Sequence, residues 1–192
     1  MMLRLDTSRH PWTLRQKLWR GVWMLVWTMF GQPGPRVFSP WRSLLLRAFG
    51  ARIGRGVKVC GRVKVLMPWN LELGDFAVLA ERVDVYNFAQ VTIGAQSCIS
   101  QGSWLCTGSH DHSLPDFPLY WKPISIGSSV WIAAEAFLHP GTQVGDGAVV
   151  GARAVVAGVL EPWTIYAGNP GRRVGPRRIR PIPEVAPRAS GA

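Results

Sequence analysis

The sequence predicts an all-β fold of one class, a parallel β-helix, in which short strands wind around a triangular prism. Between Ile53 and Val156 an aliphatic residue recurs every six positions, in five groups of three, and the residue four places later is nearly always small. A helix would need a period of 3.6 and a free strand a period of 2. A large and a small inward residue in every six is typical of a parallel β-helix. The fifteen aliphatic anchors are Ile53, Val59, Val65, Leu73, Leu79, Val85, Ile93, Ile99, Leu105, Ile126, Ile132, Leu138, Val144, Val150 and Val156.

Each six-residue repeat is called a hexad. Three hexads are expected to form one 18-residue coil, and the coils are expected to stack through parallel backbone hydrogen bonds. No coil can bury its interior alone, so such a fold is stable only as an array. The alternative is an ordinary β-sandwich whose spacing is coincidental. A repeat sustained over five coils favours the β-helix.

The interruptions of the repeat all follow a third hexad. Two extra residues stand at 71–72 and again at 91–92, and a longer excursion covers residues 111–125. All three therefore fall at the same corner of the predicted prism. Insertions on one face of a repeat protein usually mark its binding face, and loops on a rigid scaffold often carry function.

The N-terminal segment, residues 1–50, is predicted to be a basic, Trp-rich helical extension. Residues 18–30 form an apolar run whose helix would span only ~20 Å, less than the ~30 Å hydrocarbon core of a bilayer. Two interpretations stay open: a helix that covers the first open coil, or an interfacial helix at a membrane surface. A linker with three prolines follows at 31–40, and a second short helix is predicted at 41–49.

The predicted β-helix domain spans residues 51–162, with coils that end at about Leu160. Residues 163–192 are predicted to be an extended segment and a basic, Pro-rich tail, and 181–192 are expected to be disordered. The start of the chain has no small-residue cleavage site that would indicate a secretory signal. We therefore expect a cytoplasmic protein, with peripheral contact at the inner face of the cytoplasmic membrane under the interfacial interpretation.

Charge and cysteine content narrow the function classes. Lys plus Arg is 22 against 11 acidic residues, a net charge of +11. This charge suits nucleic acid, anionic lipid or a phosphorylated ligand, but the chain has no nucleic-acid-binding motif, so no nucleic-acid partner is expected. Cys60, Cys98 and Cys106 are an odd number without paired spacing. They are interpreted as small residues in a reducing compartment.

The chemistry is expected where the long loop leaves the third coil. His110 and His112 flank Asp111 there, and a neutral imidazole suits deprotonation of a hydroxyl. A zinc site formed by Cys106, His110 and His112 is an alternative, because these are zinc-ligand types. Their spacing matches no common zinc motif, so no metal is expected.

Four segments together resemble the hexapeptide-repeat acyltransferases. They are YNFAQVTIG at 86–94, CISQGSWLCTGSHDH at 98–112, PISIGSSVWIAAEAFLHPGTQVGDGAVVGARAVV at 123–156 and EPWTIYAGNPGRRV at 161–174. The resemblance is to the maltose/galactoside O-acetyltransferase branch, and within it to the colanic acid biosynthesis acetyltransferases of the WcaF type. It implies a left-handed β-helix, a homotrimer with active sites between subunits, and acetyl-CoA as donor.

The resemblance also implies roles for single residues. His110 corresponds to the family's catalytic base, and Asn87 corresponds to an acceptor-site asparagine. The positions that match the CoA site are Trp131, Ala134, Ala152, Ala157, Gly158 and Arg172. Because the pair at 157–158 lacks the family's common Thr-Lys, Arg153 or the arginines from 172 to 178 are alternative partners for the phosphates.

The function expected from these observations is O-acetylation of a sugar hydroxyl in a surface polysaccharide, a glycolipid or a precursor. One alternative is a β-helix carbonic anhydrase, whose interface zinc would need His110, His112 and His139. The other alternative is a non-catalytic β-helix scaffold, which would not bind CoA.

Overall fold

The computed structural model describes residues 12–180. The expected disordered tail at 181–192 and the first eleven residues lie outside this part of the chain. Helix α1 spans Leu14–Val26 and continues into a wider helical turn at Trp27–Gly31; helix α2 spans Ser39–Ala48. Short 3-10 turns lie at Arg36–Phe38 and Pro68–Asn70. Within the described residues no helix is both long and apolar enough to cross a membrane.

The remainder consists of short strands. They are β1 (Arg52–Ile53), β2 (Lys58–Val59), β3 (Lys64–Val65), β4 (Leu71–Leu73), β5 (Val78–Leu79), β6 (Asp84–Tyr86), β7 (Val91–Ile93), β8 (Cys98–Ile99), β9 (Trp104–Cys106), β10 (Gly108–His110), β11 (Leu119–Trp121), β12 (Ile124–Ile126), β13 (Trp131–Ile132), β14 (Phe137–Leu138), β15 (Gln143–Val144), β16 (Val149–Val150), β17 (Val155–Val156), β18 (Val159–Leu160), β19 (Thr164–Ala167) and β20 (Arg172–Pro176).

Three parallel sheets form the sides of a prism. The first sheet has the order β1-β4-β7-β12-β15-β18, the second β2-β5-β8-β13-β16-β19-β20, and the third β3-β6-β9-β14-β17. Within each sheet, a strand pairs with the equivalent strand of the next coil. The anchors therefore stack in register, as in Ile53↔Leu73 and Leu73↔Ile93. Strand β20 alone joins its sheet antiparallel, against β19. The predicted parallel β-helix is therefore confirmed.

The aliphatic anchors fill the prism axis. Fourteen of the fifteen are buried, and Ile53, in the first coil, packs against the core while partly exposed. Most of the small residues four places later are buried beside them, but Ala89 and Ser109 are only half-buried. Both lie near the third corner, where the chain bulges or leaves the coil.

The coils continue further than the sequence predicts. Leu160 pairs with Val144, so it takes an anchor position only four residues after Val156. Strand β19 then extends the second sheet in parallel with β16. The expected end of the coils near Leu160 is thus wrong, because a hexad shortened by two residues breaks the fixed period while the winding continues.

The helical extension packs onto the first coil. Helix α1 begins at Leu14, earlier than the predicted start at 18, because Thr13 and Gln16 form a capping box. Trp23 and Trp27 are buried, and their indole N–H groups donate to the carbonyl oxygens of Val65 and Val63 at 2.7 and 2.8 Å. The inner side of α1 is thus anchored to the coil by two hydrogen-bonded indoles.

Arg42 on α2 holds the linker between the helices in place. Its side chain is 1% exposed and donates five hydrogen bonds of 2.6–3.3 Å to backbone carbonyl oxygens. The accepting residues are Gly31, Pro33, Gly34, Pro35 and Val59. Burial lowers the pKa of this guanidinium, and the carbonyl oxygens replace the water that it loses.

Candidate active site

The three corners of the prism differ in what they carry. The turns between the first and second sheets are called the first corner, and the turns between the second and third sheets are called the second corner. The turns that lead from the third sheet back to the first sheet are called the third corner. Strands β10 and β11 form an antiparallel hairpin that projects from the third corner. This hairpin contains the beginning of the excursion at 111–125 and places its histidine at the end of β10.

His110 is held by the hairpin in one orientation. It pairs with Leu119, and its Nδ1 lies 2.6 Å from the carbonyl oxygen of Phe117. A carbonyl oxygen can only accept, so Nδ1 carries a proton, and in the neutral imidazole the lone pair is then on Nε2. The side chain is exposed. The neutral ring therefore has the tautomer and the access that a general base needs.

The backbone around His110 is fixed by the turn of the hairpin. Phe117 has a φ of 45°, in the left-handed region that a bulky residue rarely adopts. Asp111 does not serve His110 as a partner: its Oδ1 accepts from the hydroxyl and the backbone N–H of Ser113 at 2.6 and 2.9 Å. These two bonds lower the pKa of Asp111. The group that orients His110 is thus a backbone carbonyl.

Asn87 lies at the third corner, one coil below the hairpin, but its side chain is 0% exposed. Its amide nitrogen donates to the carbonyl oxygens of Met67 and Asn70 at 2.7 and 3.0 Å, and its Oδ1 accepts from the Met67 N–H at 2.9 Å. The amide group therefore ties the first two coils together at this corner.

Trp131, Ala134, Ala152 and Arg172 lie away from the histidine. Trp131 projects from the second sheet, is 48% exposed, and donates its indole N–H to the Ser100 hydroxyl at 2.9 Å. Ala134 and Ala152 occupy the second corner in successive coils, and Arg172 lies on β20 opposite Ala167. These residues thus follow the second sheet and its corner over three coils.

Ala157 and Gly158 lie at the third corner, above the hairpin, and both are exposed. Gly158 has a φ of 75° and open space where a Cβ would stand. The candidate residues therefore form two groups. His110, Asn87 and this pair follow the third corner, whereas the remaining residues follow the second corner, on the other side of the third sheet.

Arg153, the alternative phosphate partner, is already paired. Its Nε lies 2.6 Å from Glu135 Oε2, and this bond raises the pKa of the guanidinium. Arg172, by contrast, is exposed and has no ion pair among the described residues. This difference favours Arg172 over Arg153 as a contact for phosphate.

The zinc alternatives need a ligand cluster, and the described part of one chain does not contain one. Among residues 12–180 no three His, Cys, Asp or Glu side chains gather closely enough to hold a metal. Cys60 and Cys106 are buried free thiols, and burial raises the pKa of both. They therefore fill space as small residues, as the sequence predicts.

The sequence does not predict an aromatic cluster beside the hairpin. The Trp12 ring stacks on Phe88 and on Trp121 of β11, with centroid distances of 5.3 and 5.7 Å. Gly108 leaves room for this cluster, since a Cβ there would lie 2.5 Å from the Phe88 ring. The three rings come from distant segments, so the only sequence signal of the cluster was Gly108, on the strand that carries His110.

Comparison with known proteins agrees with this architecture. Residues 123–158 match the family described as bacterial transferase hexapeptide (six repeats). The chain is 44% identical over 157 residues to the putative colanic acid biosynthesis acetyltransferase WcaF of Escherichia coli (strain K12), covering 82% of this chain and 84% of that protein.

Solved structures show the same fold. A galactoside acetyltransferase in complex with coenzyme A has a TM-score of 0.79 and 23% identity, covering 91% of this chain and 90% of that chain. A hexapeptide-repeat acetyltransferase of Vibrio cholerae O1 biovar eltor, complexed with acetyl coenzyme A, has a TM-score of 0.77 and 22% identity, with coverages of 87% and 91%. The fold is thus the left-handed β-helix of hexapeptide-repeat enzymes. With the 44% identity to an acetyltransferase over most of both chains, this chain belongs to the hexapeptide-repeat acetyltransferase family.

Proposed function

We propose that this acetyltransferase moves the acetyl group of acetyl-CoA to a sugar hydroxyl, with His110 as general base. The observation that carries the proposal is the 2.6 Å contact between Nδ1 of His110 and the Phe117 carbonyl oxygen. It fixes the tautomer in which Nε2 can accept a proton. Two of the similar enzymes are named for acetyl transfer to a galactoside and for colanic acid biosynthesis, which supports a glycan acceptor.

The reaction follows from that geometry. Nε2 of His110 takes the proton of the acceptor hydroxyl as its oxygen attacks the thioester carbonyl. The new C–O bond forms, the C–S bond breaks, and the imidazolium returns the proton to the CoA thiolate. The chain supplies an oriented base, which typically contributes 10²–10⁴-fold to such a step.

The two groups of residues favour a site shared between subunits. The base lies at the third corner and the candidate CoA contacts lie along the second sheet and second corner of the same prism. A neighbouring copy that places its second corner against this third corner brings both groups together. A closed ring of three such heterologous contacts is a homotrimer. We propose this assembly, with three equivalent sites.

Donor binding is proposed for the second sheet. Ala134 and Ala152 leave room for a pantetheine arm along the corner, and Trp131 presents a half-exposed ring beside it. Arg172 is the proposed phosphate contact, because a guanidinium fork suits phosphate oxygens. Ala157 and Gly158 offer an exposed, side-chain-poor surface at the third corner of the neighbouring copy.

For Asn87 we propose a positioning role instead of direct contact with the acceptor. All hydrogen bonds of its side-chain amide go to backbone groups of the first coil, and the residue has no exposed surface. By holding the bulge at residues 67–70 against Asn87 and Phe88, it shapes the floor beneath the hairpin.

We also propose peripheral contact with an anionic membrane through helix α1. Its outer side is apolar, with Leu14, Leu18 and Leu25 exposed by 73, 63 and 63%. Arg15 and Lys17 flank this strip, and residues 7–71 contain twelve Lys or Arg and no acidic residue. An apolar strip with basic borders is typical of a helix that lies in a membrane interface.

The function is tested by assaying acetyl transfer from acetyl-CoA to a panel of sugars and glycans, with CoA binding followed by thermal shift. Acetylated product that forms with the parent protein and is lost in His110→Ala would support the proposal. A protein that neither binds CoA nor forms product with any acceptor would support the scaffold alternative.

A further inference from the structure

A groove of about 890 Å³ lies along the second corner at the N-terminal end of the prism. One wall is the linker between the two helices, and the other wall is the corner itself in the first four coils. Its size is in the range of small-molecule sites, which are typically ~300–1,000 Å³. No residue assigned above to the donor site or to the base lines this groove.

The wall formed by the linker is rigid. Arg42 holds the linker carbonyl groups with five hydrogen bonds, and the Arg62 N–H donates to the Gln32 carbonyl oxygen at 3.1 Å. The linker also lies directly on the coil, since a Cβ at Gly61 would stand 2.9 Å from the Gly34 carbonyl oxygen. The groove is therefore preformed, which reduces the entropic cost of binding.

The charged side chains of the groove favour an anion. Arg36, Arg62 and Arg82 line it, and none of them forms an ion pair within the described part of the chain. Two acidic residues, Glu81 and Glu135, also line it, but Glu135 is neutralised by Arg153 at 2.6 Å. Three guanidinium groups against one unpaired carboxylate suit phosphate oxygens, which Arg binds in bidentate fashion.

The groove continues the line of the proposed donor site. Glu135, at one end of the groove, directly follows Ala134, and its N–H donates to the Gln101 carbonyl oxygen of the coil below at 2.9 Å. The corner then continues to Arg82 and Arg62, with coils spaced at ~4.8 Å. A thioester near Trp131 and Ala134 would therefore meet an acceptor whose remaining part lies in the groove.

From these observations we propose that the groove binds a phosphate or diphosphate group of the acceptor, so that the substrate is a phosphate-activated saccharide. This inference rests on the proposed function, because the position of the thioester defines which end of the corner receives the acceptor. The diphosphate can belong to a nucleotide sugar or to a prenyl-linked saccharide. Both present the same oxygens to Arg36, Arg62 and Arg82.

The first test measures binding of inorganic pyrophosphate by titration calorimetry with saturating CoA present, which fills the donor site. The variant is the triple Arg36→Gln/Arg62→Gln/Arg82→Gln. Glutamine suits the corner because Gln96 has a φ of 59° at a corner, close to the 60° of Arg62 and Arg82. The charge-matched control is Arg52→Gln/Lys58→Gln/Arg178→Gln, which removes three exposed cations outside the groove.

The parent and the control should bind pyrophosphate alike, and the groove variant at least about tenfold more weakly. Thermal unfolding midpoints of all three proteins verify that they fold equally. Absence of pyrophosphate binding by the parent, or equal binding by the groove variant, would overturn the inference.

The second test compares KM values for three acceptors: a methyl hexoside, a nucleotide diphosphate hexose and a short-chain prenyl diphosphate hexose. The groove variant should raise KM for one or both diphosphate acceptors about tenfold, and leave KM for the methyl hexoside and for acetyl-CoA unchanged. The diphosphate acceptor for which the parent protein has the lower KM shows whether the natural acceptor is a nucleotide sugar or a prenyl-linked saccharide. If the groove variant changes KM equally for the diphosphate acceptors and the methyl hexoside, phosphate binding in the groove is contradicted, while the proposed acetyl transfer still stands. Pyrophosphate binding without turnover of any acceptor would instead contradict the proposed function.

Discussion

The carbonyl oxygen of Phe117 lies 2.6 Å from Nδ1 of His110, seven residues earlier in the chain. This contact closes the turn of the hairpin and selects the imidazole tautomer at the same time. The left-handed φ of Phe117 is the backbone feature that accompanies it. Unusual backbone conformations of this kind often cluster at functional sites.

Replacing His110 with Ala should lower kcat by roughly 10²–10⁴ and leave KM for acetyl-CoA little changed, because it removes the base and keeps the donor site. Steady-state kinetics with the best acceptor of the panel measure both constants. His112→Ala is the matched control, since this exposed histidine lies on the same hairpin. A larger loss at His112 than at His110 would identify a different base.

Arg172→Ala should raise KM for acetyl-CoA about tenfold and change KM for the acceptor little, because the lost contact is with the CoA phosphates. The comparison is Arg153→Ala, whose guanidinium already pairs with Glu135. Dephospho-CoA used as competitor reports whether the 3′-phosphate is the group that Arg172 contacts. If Arg153→Ala has the larger effect, the phosphates lie one coil lower.

The shared site requires more than one copy of the chain. We expect light scattering at micromolar concentration to give the mass of a trimer, three times the 21.2 kDa of the chain. At an acetyl-CoA concentration well below the raised KM of Arg172→Glu, mixing this variant with inactive His110→Ala subunits should give more activity than the two variants give separately, because one site in a mixed trimer combines two intact surfaces. A monomeric mass, or no rescue on mixing, would exclude a site between subunits.

The sequence predicted the repeating part of this protein well because its physics is periodic. The fourteen anchors from Val59 to Val156 share one buried environment, so one rule places them all. The end of the coils was missed because the four-residue step from Val156 to Leu160 departs from the rule while the hydrogen bonding continues.

Contacts between distant segments were beyond such a rule. The five carbonyl groups around Arg42, and the ring of Trp12 between Phe88 and Trp121, depend on how the helical extension folds back on the coils. Asn87 shows the same limit in the site. A motif match gives its position at the third corner, but only the structure shows that its amide faces the first coil.

Arg42→Met should destabilise the protein by roughly 2–4 kcal/mol, because it leaves several buried carbonyl oxygens without a donor. Chemical denaturation of the variant measures the change in the free energy of unfolding. Arg47→Met is the control: this exposed arginine lies on the same helix and bonds to carbonyl groups at the surface. Equal losses for the two variants would mean that the linker is not held by Arg42.

Membrane contact through α1 can be separated from the role of this helix in folding. Leu14, Leu18 and Leu25 lie on its outer side, whereas Trp23 and Trp27 anchor the inner side to the first coil. The triple Leu14→Ser/Leu18→Ser/Leu25→Ser variant should therefore keep its thermal unfolding midpoint and lose sedimentation with anionic vesicles. The control is Val159→Ser/Val174→Ser/Ile179→Ser, which removes exposed apolar side chains outside the helical extension. Binding of the parent should weaken as salt rises, because Arg15 and Lys17 contribute through screened charge. If the parent does not bind anionic vesicles at low salt, or if both triple variants bind them equally, the proposed membrane contact is contradicted and α1 only covers the first coil.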